Sequence, residues 1–188
     1  MYMHATKLRW SVEDVWALPD EPGKRYETVD GELLVTPSPR TLHQIVLGEI
    51  HAEIHAFLRD KPGLMVLMAP SDVVLDEFTL VQPDLYVMQR TDDWRTRKTV
   101  DQPTPLLAVE VLSPSTSRQD RFVKRQRYQR DGIECWLVDI DAGLIERWLP
   151  RVDRPELSRD VLEWHAPGAP SSLRLDVAAI MRQARGDA

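Results

Sequence analysis

The 188-residue sequence predicts an α/β fold in which a mixed central sheet carries helices on its faces and a hairpin precedes the core. Three observations carry this. Short apolar, strand-like runs mix with two long helical periods, without the strict β-α-β alternation of a doubly wound sheet. Asp30-Gly31 sits between alternating runs in RYETVDGELLVTPSP, a strong hairpin signal. Residues 106–139 read as strand, turn, basic helix, tight turn, strand.

Taken in order, Ser11-x-x-Asp14 is a capping-box pattern that opens a short helix over 11–18. Strands follow at about 25–29 and 32–36. From His43 to Arg59 the apolar residues at 46, 47, 50, 54, 57 and 58 define one helix face, and Pro62-Gly63 ends the segment. Residues 64–68, 72–76 and 81–88 are strand candidates, the last with Pro83 near its start. Residues 90–104 are polar, with no period, and read as a surface loop. Ser117-x-x-Asp120 is a second capping-box pattern, starting a helix that runs to about Asp131 and stops at Gly132. Strands at 134–140 and 144–149 form a hairpin through Asp141-Ala142-Gly143. After Pro150 the pattern is less regular, with a short strand near 160–164 and a helix near 176–184. We therefore expect one domain over 1–188, with its core at about 25–150 and an irregular extension over 151–188.

Bulk properties narrow the function. With 43% apolar and 29% charged residues the composition is that of a globular protein. No apolar run approaches the ~20 residues of a membrane span, and MYMHATKLRWSVEDVW lacks the apolar core of a leader peptide. The single cysteine, Cys135, allows no intramolecular disulfide, so a cytoplasmic location is expected. No glycine pattern matches a nucleotide-binding turn, so no nucleotide cofactor is expected. The net charge of −6 argues against a general nucleic-acid coat, yet six cations (Arg118, Arg121, Lys124, Arg125, Arg127, Arg130) face a single acid, Asp120, between 118 and 130.

Three residues stand where polar groups are uncomfortable: Asp84 in QPDLYVM, Glu110 in AVEVLS, and Lys124 in the basic helix. A carboxylate in the middle of an apolar strand is costly unless a cation meets it, so Glu110 is either a paired structural acid or a metal ligand. Asp84 either caps a turn or joins Glu110 in holding a hard divalent cation, since Mg²⁺ takes one or two protein carboxylates and completes its shell with water and phosphate oxygens. Lys124 lies with Arg121 and Tyr128 opposite Phe122 and Val123. It faces solvent if the Phe122 side packs and faces the acids if the Tyr128 side packs.

These residues carry a resemblance. Pro83-Asp84, Glu110 in an apolar strand and a following lysine resemble the PD-(D/E)XK nuclease superfamily. More narrowly, YETVDGE, QPDLYV, LLAVEVLSPSTSRQDRFVKRQRYQRDGI and ECWLVD are similar to a bacterial family of restriction-endonuclease-like proteins, over about Trp10 to Leu149. The resemblance implies a restriction-endonuclease-like fold and metal-dependent DNA cleavage. Asp84 and Glu110 would be the catalytic, metal-holding acids, and Mg²⁺ the metal, with Mn²⁺ as a substitute. The superfamily lysine belongs two residues after the glutamate, where this chain has Leu112, and its role would pass to Lys124. A further acid would come from Glu27, Glu49 or Glu53. Arg118, Arg121, Arg125 and Arg127 would contact the phosphates of duplex DNA, and a homodimer would suit the cutting of both strands.

The plainer readings stand beside these. Asp120 completes a capping box, His43 is a packed residue at a helix start, His51 and His55 lie on a solvated helix flank, and Asp139 is structural. A catalytically silent nuclease fold, serving as a DNA-binding or assembly module, is the rival function. The net acidity and the missing lysine at position 112 favour it.

Overall fold

The computed structural model describes residues 8–186. Residues 1–7, part of the stretch read for leader character, lie outside the described residues, as do 187–188. Among the described residues no helix is long and apolar enough to cross a membrane.

Helix α1 (Val12–Trp16) opens with the capping box, as Ser11 accepts from the Asp14 N–H while the Asp14 carboxylate accepts from the Ser11 N–H at 2.8 Å. Strands β1 (Lys24–Val29) and β2 (Glu32–Pro37) pair antiparallel around Asp30 and Gly31. Both turn residues have positive φ, 53° and 90°, as a type I′ turn demands. Helix α2 (Thr41–Leu58) follows, then β3 (Leu64–Met68), β4 (Val73–Asp76), β5 (Thr79–Val81) and β6 (Leu85–Gln89). The strand expected over 81–88 is thus two strands. Pro83 has no N–H to give a ladder, and the chain changes sheets there.

Strand β7 (Leu107–Val111) leads to α3 (Ser117–Gln119), a π-helical turn over Asp120–Lys124, and α4 (Arg125–Arg130). The helix expected over 117–131 therefore contains one wide turn, closed by the Arg125 N–H donating to the Asp120 carbonyl five residues back. Its expected capping box does not form: Thr116 is the N-cap, with no side-chain cap bond. Next come β8 (Glu134–Asp139), β9 (Leu144–Trp148), β10 (Glu156–Ser158), β11 (Val161–Trp164), β12 (Leu173–Asp176) and α5 (Val177–Arg185).

The central sheet has six strands in the order β10-β9-β8-β7-β6-β3, in which β7 and β8 run parallel and the other neighbours antiparallel. Alternation splits its side chains between two cores. Leu107, Val109, Val111, Trp136 and Val138 face α2, α5 and the β11–β12 hairpin, where Trp136 meets Trp164 edge-on. Ala108, Cys135 and Leu137 face the other way, toward Tyr128 of α4 and the second sheet, β2-β1-β5-β4. The expectation of an irregular extension after 150 is corrected here. Leu162, Trp164, Leu173, Leu175, Val177 and Ile180 complete the first core, and β10 forms an edge of the central sheet. Short strands broken by Pro and Gly gave that segment a weak periodic signal.

Candidate active site

Glu110 lies on β7, on the face toward α4. The β6–β7 register pairs Leu85 with Val109, and one step further brings Asp84 opposite Glu110. Directly opposed residues share a face, so the two carboxylates emerge side by side where β6 begins and β7 ends. Asp84 is fixed by the Val111 N–H, which donates to Oδ2 at 2.9 Å, and by His43 Nε2 at the same distance from that oxygen. Arg25 reaches its Oδ1 at 3.4 Å.

The wide turn brings in the cation. Tyr128 is 1% exposed and Phe122 59%, so the Tyr128 side of the helix packs and Lys124 points inward. Its Nζ lies 2.6 Å from Glu110 Oε1, 2.9 Å from Glu27 Oε1 and 3.9 Å from Asp120 Oδ1. The Tyr128 hydroxyl donates to the same Glu110 oxygen at 2.7 Å, and the Gln82 N–H donates to Glu27 at 2.7 Å. Glu27, Asp84, Glu110, Asp120 and Lys124 are all buried. They border a cavity of roughly 250 Å³, with Arg25, Thr36, Arg40, His43 and Ser113 among its other walls.

Four buried carboxylates share this space with one buried lysine, and their protonation equilibria reflect the burial. Burial drives the Glu110 carboxyl well above its ordinary range. Lys124 opposes the shift, but the charges of Asp120, Asp84 and Glu27 add to it. Burial likewise raises Asp120, to about 6, against Lys124 and the Thr116 hydrogen bond. Asp84 differs: burial pushes it up, yet His43, Lys124 and the Val111 N–H outweigh that and hold it below its usual value. Lys124 itself is raised well above an ordinary lysine, because its three carboxylate neighbours overcome desolvation.

Three residues that line this cavity each hold a side-chain atom buried without a hydrogen-bond partner: Arg25 Nε, Thr36 Oγ1 and His43 Nδ1. Each such atom costs roughly 1–3 kcal/mol.

The other expected site residues lie elsewhere. Glu53 is exposed, and Glu49 accepts from Gln183 of α5 at 2.8 Å, so neither supplies an acid to the cavity. The helix meets the site at its first turn, through His43. Glu49 is six residues on, about 9 Å along the axis. Arg127, expected at the phosphates, is turned inward. It is 6% exposed and held by Asp30, Asp76 and Asp131, with Thr79 as a fourth partner. Arg121 pairs with Asp139 and Glu146, and Arg125 lies over the Trp148 ring at 4.1 Å. Of the four arginines expected to meet DNA, Arg118 alone is exposed and has no ion pair among the described residues. His51 and His55 stack at 5.5 Å on the flank of α2.

A family model described as "Putative restriction endonuclease", Uma2, matches residues 12–178. The chain belongs to the Uma2 family. A crystal structure of a protein from Anabaena variabilis, described as a putative nuclease of DUF820, has the same fold, with a TM-score of 0.71 and 15% sequence identity. The match covers 93% of this chain and 99% of that one. No curated protein sequence matches. The restriction-endonuclease-like fold expected from the sequence is therefore the fold of this Uma2 chain.

Three groups at this site carried little signal in the sequence. His43 was hidden by its place on the apolar stripe of α2, and Arg25 by an ordinary strand pattern. Asp120 fitted a capping motif equally well, and only its position four residues before Lys124 hinted that both face inward.

Proposed function

We propose that this Uma2 protein is a metal-dependent DNA endonuclease in which Asp84 and Glu110 hold Mg²⁺, or Mn²⁺ in its place, and Lys124 assists. The observation that carries this reading is the pairing of two buried carboxylates on one sheet face, with a lysine Nζ 2.6 Å from one of them, at the wall of a cavity.

The donor chemistry fits the metal. Among the described residues no group of three or more His, Cys, Asp or Glu converges as a metal site. That suits a cation which takes one or two carboxylates and leaves the rest of its shell to water and phosphate oxygens. The burial-raised carboxyls of Glu110 and Asp120 are the second point of fit, since a divalent cation beside them would favour their ionised forms. When bound, Mg²⁺ would polarise the phosphate and lower the pKa of water beside it.

The chain's own groups do the positioning. His43 and the Val111 N–H fix the Asp84 carboxylate, and Tyr128 and Lys124 fix that of Glu110. Lys124 stays protonated among its acids, so it supplies positive charge to the phosphorane-like transition state and a donor to orient the attacking water. Glu27 and Asp120 hold Lys124 in place. Duplex DNA as substrate and a homodimer that cuts both strands complete the proposal.

Plasmid cleavage with Mg²⁺ or Mn²⁺ tests it, comparing the native protein with Asp84→Ala and Glu110→Ala. Metal-dependent nicking that both substitutions abolish is the expected result. A native protein that neither cuts nor binds metal in calorimetry would leave a silent nuclease fold in its place.

A further inference from the structure

We propose that the outer edge of β3 is where two copies of this chain meet. The two β3 strands would pair antiparallel about a two-fold axis at Val66, joining six strands from each copy into one continuous sheet. The interface stands on main-chain geometry, and it rests on the nuclease reading only for the use of two paired sites.

Strand β3 is an outer strand of the central sheet and pairs with β6 alone. Its ladder fixes which groups face outward. The Ala69 N–H donates to the Asp84 carbonyl, and the Arg90 N–H to that of Gly63. Bonded positions alternate in an antiparallel ladder, so Met65 and Leu67 bond to β6, while Leu64, Val66 and Met68 turn their main-chain groups to the outer edge. The Leu64 N–H is taken by the Lys61 carbonyl. The Leu64 carbonyl and both main-chain groups of Val66 and Met68 have no partner among the described residues. A two-fold axis at Val66 matches these groups to one another. Val66 exchanges two bonds with the partner's Val66, and each Met68 N–H meets a Leu64 carbonyl across the axis.

The outer strands of the two larger sheets differ in their defences. Strand β10 has three residues, and its Glu156 pairs with Arg147. Strand β2 carries Glu32 and ends at Pro37, and β4 has a bulge between Val74 and Asp76. Shortness, charge, proline and bulges all discourage edge pairing. Strand β3 reads Leu-Met-Val-Leu-Met, with no charge, proline or bulge, and Met65 to Met68 are partly exposed.

The flank of β3 favours a strand of its own composition. A largely apolar cavity of roughly 150 Å³ lies there, with Met65, Leu67, Met88, Trp94 and Pro103 among its walls, and Trp94 is 44% exposed. In the two-fold register Met65 stands beside the partner's Leu67 on this face. The added strand thus extends the apolar lining, whereas a charged strand would lose its hydration there. One sequence supplies both halves, as an isologous contact requires. The axis is perpendicular to the sheet, so both Asp84–Glu110 pairs face the same side. Strand spacing and rise place the two Asp84 positions about 25 Å apart.

Sedimentation of the full chain tests this, and we expect a dimer at micromolar concentration. Leu67→Lys sets a charge in the apolar contact, and Met68→Pro removes an outward donor but no bond to β6. Each should weaken dimerisation about tenfold or more, whereas Leu157→Lys, on the opposite outer strand, should leave it unchanged. Hydrogen exchange in the native chain needs no variant and keeps the test open if either fails to fold. The Val66 and Met68 amides should be protected in the dimer and exchange freely once dilution separates it. A chain monomeric to about 100 µM, a dimer that both variants leave intact, or one in which these amides exchange freely would overturn the interface. The two proposals fail separately. A dimer held by β3 in a protein that never cuts removes the nuclease reading alone. Metal-dependent cleavage by a monomer, or by a dimer joined through another surface, removes this interface alone.

Discussion

Lys124 and Arg127 lie three residues apart, and each is a buried cation ringed by three carboxylates: Glu27, Glu110 and Asp120 for the lysine, Asp30, Asp76 and Asp131 for the arginine. Their acids differ. Those around Lys124 are buried, and burial raises Glu110 and Asp120. Asp30 and Asp76 are about half-exposed, and both carboxyls sit below their ordinary values. For Asp30 the Arg130 hydrogen bond leads and Arg127 adds to it; for Asp76 partial desolvation pushes up, and the bond and charge of Arg127 with the Phe78 N–H and Thr79 together outweigh it. The arginine thus clamps the hairpin turn and β4 to α4, with its charges satisfied by partners and water. Desolvation of the acids, more than that of the cation, separates the cluster suited to chemistry from the structural clamp.

Substitutions should expose that difference most sharply in activity. Asp84→Ala and Glu110→Ala should lower plasmid cleavage by at least about 100- to 1,000-fold. Arg127→Met should leave cleavage per folded molecule unchanged, and a loss there as large as that of Glu110→Ala would erase the distinction. In stability the order should be closer. Urea unfolding should show Lys124→Met losing roughly 3–5 kcal/mol, because three buried acids lose their cation. Arg127→Met should lose nearer the bottom of that range, since water can take over its half-exposed partners.

A smaller effect should come from metal. Mg²⁺ at about 100 times its dissociation constant should stabilise the native protein and Arg127→Met alike by about 2.7 kcal/mol, and should leave Glu110→Ala unmoved. Thermal melts with and without Mg²⁺ would measure this. Acid should act on the clamp. The folded pKa values of Asp30 and Asp76 are depressed, so their contribution is complete above the unfolded value near 3.9 and is lost as pH falls through the folded values. The stability gap between the native protein and Arg127→Met should therefore be constant from about pH 5 to 7 and shrink below about pH 4. The smallest change expected is for Arg118→Ala, which should reduce the salt dependence of DNA binding by about one phosphate contact, whereas Arg127→Met should not.

Much of the fold was legible because its signals are local. Asp30-Gly31 must form a tight turn, Ser11 and Asp14 cap α1, and the apolar stripe of α2 faces the core. The hidden parts depend on tertiary placement. Pro83 sends β5 and β6 to different sheets, and the apolar residues after 150 find partners only across the molecule. At the site, Asp84 and Glu110 stood out because carboxylates in apolar strands need a reason. His43 did not, since a histidine on a buried stripe reads as packing until Asp84 is seen opposite it. The arginines from 121 to 127 show the converse: a run of positive charge resembles a binding face, and the acids that pair with Arg121 and Arg127 come from elements distant in sequence.

The π-helical turn joins these two clusters through one backbone feature. It adds a residue to the helix, so Asp120 and Lys124 address the cavity while Tyr128 and Arg127 still reach the second core and the clamp. Wound as regular α-helix with no residue removed, the same sequence would swing everything beyond the turn by about 100°. The helix could then seat its lysine or its arginine, but not both. That turn acts as a gear tooth, setting the rotational register between reactive chemistry and mechanical anchorage.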